Sequence, residues 1–124
     1  MLIKETGSKI NFIDVNDVYV GYDISQSCCE HAGWFIHPMQ CESPYIEEYG
    51  DSYSGIVNKE FDLNGFVFDT KFVEYSTKDT DSGAMVIFRM VKGNNQLFLH
   101  LFNVHNGYYG HGFDTNLPCG NGCL

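Results

Sequence analysis

Positive charge is scarce in this chain. Of its 124 residues only seven are Lys or Arg, against sixteen Asp and Glu, and the net charge is -9. Between residues 10 and 58 there is no Lys or Arg at all, while Asp14, Asp17, Asp23, Glu30, Glu42, Glu47, Glu48 and Asp51 fall there. Direct nucleic-acid binding needs clustered cations that release counterions from phosphates, so the shortage argues against it. Two readings of the acidic stretch stay open: a solvated face that maintains solubility, or a face that docks on a protein with a basic surface. A third, collection of a hard cation, lacks the carboxylate spacing of a calcium loop.

Long apolar runs are also missing. The opening Met1-Leu2-Ile3-Lys4-Glu5-Thr6-Gly7 does not read as a signal peptide. No segment reaches the roughly 20 apolar residues that a membrane helix requires. A cytoplasmic protein without a membrane partner is expected. The five cysteines are an odd number, and Cys28 and Cys29 are adjacent, unlike the framework of a small secreted domain. Reduced thiols are the default. Gly-x-Ser-x-Gly, P-loop and dinucleotide signatures are absent. Glu47-Glu48 lies in a polar stretch, where a solvated pair is expected rather than an acid and a base. A cysteine hydrolase would pair Cys28 or Cys29 with His31, His37, His105 or His111, and the sequence does not supply that pairing. The expectation is a protein that is not an enzyme.

What is present suits a core. With 44% hydrophobic and 15% aromatic residues the chain can bury enough surface for one domain spanning residues 1–124. The pattern predicts an α+β fold that is predominantly an antiparallel β-sheet meander with little helix. Residues 9–14 alternate, Val15-Asn16-Asp17 supplies a turn, and residues 18–24 are β-branched and aromatic, which together read as a hairpin. Residues 33–37 form a short apolar run closed by Pro38, a short or edge strand. Residues 39–54 read as a long surface loop, with room for a helix over 47–57. The meander follows: a strand after the Asn64-Gly65 turn, a second over residues 84–92, and a third over 96–105 beyond a turn at Gly93-Asn94-Asn95. The middle strand is apolar on both faces, so it should be covered on both sides, by the protein's own loops or by a second copy in a homodimer. His100 alternates with Phe98 and Phe102 and reads as a satisfied sheet residue.

Cysteine and histidine fall in two groups, Cys28-Cys29-Glu30-His31 with His37 and Cys41, and His105, His111, Cys119, Cys123. Cys119 and Cys123 are at the outer limit of zinc-ligand spacing, and their glycine-rich link lets the two ends approach. A structural zinc would draw on Cys29, His111, Cys119 and Cys123, and the alternative is buried or partly exposed thiols and no cofactor. Around the Asn106-Gly107 turn, Tyr108 and Tyr109 make rigid contact anchors for a partner, or simply cover a hairpin tip.

Ser27-Cys28-Cys29-Glu30, followed at a distance by Asn106-Gly107-Tyr108-Tyr109, resembles a small uncharacterised domain family of bacteriophages and bacteria. The resemblance implies phage or mobile-element origin, a place in the host cytoplasm and action on a host component, and it brings no reaction. Joined to the charge pattern, it gives a non-enzymatic acidic protein that docks on and inhibits or modulates a basic host protein, such as a defence nuclease. Its contacts would come from Glu47, Glu48, Asp51, Tyr53, Tyr108 and Tyr109. A zinc-stabilised domain is the alternative, and a cysteine hydrolase stands third.

Overall fold

Turn chemistry sets the first hairpin. A computed structural model describes residues 1–25, 30–41, 56–57, 62–76, 83–105 and 110–124. Strands β2 (Lys9–Ile13) and β3 (Tyr19–Asp23) pair antiparallel, as the alternation predicts. Asp17 closes the turn in the left-handed region at φ 59°, a conformation that Asp tolerates better than most residues. Asp14 is 4% exposed, and its Oδ1 accepts the N–H groups of Asn16 and Val18 at 2.8 and 3.0 Å. Its Oδ2 accepts the N–H of Phe68 at 2.9 Å, from the opposite sheet.

The first sheet has the order β1-β2-β3-β9-β10, with β1 (Leu2–Thr6), β9 (Gly112–Thr115) and β10 (Gly122–Cys123) beside the hairpin. The β1–β2 loop is two residues long, with Gly7 first at φ 61°, the position where a tight hairpin turn of this kind demands glycine. Past the end of β9, the Asn116 side chain carries the pairing on. Its Nδ2 donates to Asp17 O at 2.8 Å and its Oδ1 accepts the Tyr19 N–H at 2.9 Å.

The second sheet has the order β5-β4-β8-β7-β6, built from β4 (Glu30–His37), β5 (Ile56–Val57), β6 (Val67–Ser76), β7 (Gly83–Lys92) and β8 (Asn95–His105). Strands β6 to β8 are the expected meander, and β7 and β8 pair without a break from Gly83↔Val104 to Lys92↔Asn95. Their loop places Gly93 first, at φ 59°. All pairings are antiparallel except β4–β5, and no described residue is helical. No helix among the described residues is long and apolar enough to cross a membrane.

Several elements differ from the sequence reading. Strand β4 begins three residues earlier than the short run suggested and has partners on both sides, β8 and the two residues of β5. It stops at His37 because Pro38 has no N–H to continue the ladder. Within 47–57, residues 56–57 are strand, and the rest lies outside the described residues. Strands β8 and β9 belong to different sheets, so the segment between them crosses from one sheet to the other and is not a hairpin tip.

The two sheets face each other across an apolar core. Phe12 meets Trp34 edge-on at 5.0 Å between ring centroids, and Phe88 meets Phe113 at 6.0 Å. A second cluster, Phe35, Met85, Ile87, Phe98 and Phe102, is buried on the far face of the second sheet. This is why β7 and β8 are apolar on both faces.

Candidate functional site

One end of the sandwich concentrates buried polar groups. Strand β4 starts there and β8 ends there, with Glu30 and His105 as register partners. The Tyr22 hydroxyl donates to Phe102 O at 2.7 Å and joins the first sheet to the second. Beside it, Asn103 Nδ2 donates to Leu124 O at 3.1 Å, and the His111 N–H reaches the same oxygen at 2.8 Å. Tyr22, Asn103 and His111 are all buried.

His111 is held in one tautomer. Its Nδ1 lies 2.8 Å from Asp23 O, a carbonyl that can only accept, so Nδ1 carries the proton and Nε2 the lone pair. The Asp23 carboxylate is 3.9 Å from the same Nδ1. Desolvation pushes the Asp23 carboxyl up, but hydrogen bonds from the Ser25 side chain and N–H, with His111 nearby, outweigh it and hold the group below its ordinary value.

The tail cysteines sit apart from this cluster's hydrogen bonds. Cys119 is exposed in the turn closed by Gly120 N–H to Leu117 O at 3.0 Å, with Sγ 3.6 Å from Thr115 Oγ1. Cys123 is exposed in β10 opposite Gly112, and its Sγ fills the place that a Cβ on Gly110 would take, 2.6 Å away. Each thiol thus rests against a different residue. Among the described residues no three His, Cys, Asp or Glu side chains gather closely enough to hold a metal ion, so His111, Cys119 and Cys123 make no such group. Cys29 lies outside the described residues.

A second histidine is buried on the far face. His100 Nε2 accepts the Cys41 N–H at 3.0 Å, which assigns the ring proton to Nδ1, 3.1 Å from Phe98 O. The ring stacks on Phe35 at 4.2 Å between centroids. Burial pushes its pKa down to about 3, His37 adds to the effect, and the backbone bonds oppose it. The sequence places His100 on a sheet face, but gives no sign of its bond to Cys41, 59 residues away.

Glu47, Glu48, Asp51, Tyr53, Tyr108 and Tyr109 lie outside the described residues. Their flanks are described. The acidic segment is anchored on one side by Cys41 bonded to His100, and on the other by β5 paired with Phe35 and Ile36. The Tyr108-Tyr109 segment follows His105, at the opposite end of the β4–β8 pair. Two of the cations are tied to carboxylates: Lys9 Nζ reaches Asp114 Oδ1 at 2.6 Å, and the Arg89 guanidinium bonds Asp69 while lying 5.1 Å from the Phe72 ring centroid. No protein-family model matches the chain, and no curated protein or solved structure does either.

Proposed function

We propose that the protein is a non-enzymatic binding protein that docks through its acidic segment between Cys41 and Ile56 on a basic surface of another protein. A nuclease channel that normally takes nucleic acid is the kind of surface it would occupy and inhibit. The segregation of charge carries this reading: between residues 10 and 58 no Lys or Arg offsets eight carboxyl groups. The fold adds support. Lys9, just before this stretch, is already paired with Asp114, so it does little to dilute the negative field.

An acidic loop pinned at both ends on a rigid sheet loses less entropy on docking than a free tail. Electrostatic steering then predicts fast, salt-sensitive association. The test isolates a partner from the native host and follows association by stopped flow at about 50 and 500 mM salt, bracketing the range over which screening becomes strong. The on-rate is expected to fall at least about tenfold across that range, and a Glu47→Lys/Glu48→Lys/Asp51→Lys variant to start from a similarly reduced rate. An on-rate that ignores salt and charge reversal would rule the reading out.

A further inference from the structure

The fold joins the two Cys/His groups of the sequence at one place, through histidine and glutamate rather than through the tail cysteines. Register pairing sets Glu30 directly opposite His105. Directly opposed residues of an antiparallel pair hold their Cβ atoms about 4.5–5.5 Å apart on one face, within reach of a common ion. His105 follows Asn103 by two residues, a step of roughly 7 Å that returns to the same face of the strand. Asn103 is the residue whose amide meets the His111 N–H on Leu124 O. Glu30, His105 and His111 therefore share one end of the sandwich.

His111 has the arrangement that metal-binding imidazoles use. Its Nδ1–H is spent on a backbone carbonyl, Asp23 O, with the Asp23 carboxylate 3.9 Å away, which fixes the ring and leaves the lone pair on Nε2. Burial of the ring keeps that orientation from being averaged by solvent. We propose that this end of the sandwich binds a zinc-class divalent cation, with His105, His111 and Glu30 as its protein donors. Two imidazoles and one carboxylate form a complete protein set for zinc with a fourth position open. They suit zinc, nickel or copper better than magnesium or calcium, which take oxygen alone. The site stands independently of the acidic docking segment.

The experiment titrates the purified full chain with zinc chloride by calorimetry, and with cobalt chloride as a visible-absorption probe. About one equivalent should bind, with cobalt bands of a low-coordinate nitrogen and oxygen site. His105→Ala and Glu30→Gln, at strand ends where the fold tolerates change, should each weaken binding about tenfold or more, and His111→Ala should do the same if it folds. Cys119→Ser/Cys123→Ser should bind as the parent does. The proposal is overturned if no stoichiometric binding is found, if His105→Ala and Glu30→Gln leave affinity unchanged, or if the double serine variant abolishes it, which would return the metal to the tail.

Discussion

Single side chains link the two layers, and Asp14 does the most. It satisfies three N–H groups with two oxygens, one of them on the far sheet. Asp14→Ala strands those donors and should lower stability by about 3 kcal/mol in urea titrations, with Asp14→Asn recovering part of the loss. His100 makes a second claim at this scale. Its folded pKa of about 3 lies below the ordinary 6.5, so between these values the unfolded chain binds a proton that the folded chain refuses. Stability should therefore fall as pH drops from about 6.5 toward 3, with a slope from this residue approaching 1.4 kcal/mol per pH unit. Urea titrations at several pH values, run beside His100→Gln, check it: an equal slope in the two proteins would remove His100 as the cause.

At the level of elements, the open edges of both sheets are blunted. Strands β5 and β10 are two residues long, and β1 carries Lys4 and Glu5. Strand β6 is long enough to recruit another chain, but its register breaks between Phe68 and Val73, where residues 69–72 face Arg89 alone. Asp69 holds this bulge by accepting the Lys71 N–H at 3.0 Å and the Arg89 guanidinium. Such bulges twist an edge away from partners. Arg89→Ala removes both the Asp69 bond and the stacking on Phe72, and should raise concentration-dependent association measured by light scattering while lowering stability by about 1 kcal/mol. In the β7–β8 loop, Gly93→Ala puts a side chain at φ 59° and should cost about 1 kcal/mol. Gly112→Ala, without positive φ and with 3.9 Å to its nearest neighbour, is the matched control and should be close to neutral.

For the molecule as a whole, the local signals in the sequence were the reliable ones. The 9–24 hairpin and the β6–β8 meander announce themselves through alternation and turn residues, which act between neighbours. Strands β1, β5, β9 and β10 do not, because two to five residues of unremarkable composition become strands only when a distant partner presents an edge. The same limit hid the site. Nothing local in Glu30, His105 and His111 says that they share one end, since only the β4–β8 register brings the first two opposite each other. Spacing pointed instead to Cys119 and Cys123, which are close in sequence and rest on different neighbours.

The place of β9 also governs when the fold can be made. It pairs Thr115 with Val20 and Phe113 with Tyr22, bridging more than ninety residues of sequence. On the ribosome, the β6–β8 meander can form from contacts made within its own span, whereas β3 keeps a bare edge until residues 112–115 have emerged. The first sheet is thus the last to close. A nascent chain stalled before His111 would present that unpaired edge to solvent and chaperones, and release of the tail would be the event that turns a half-built sandwich into a cooperative unit.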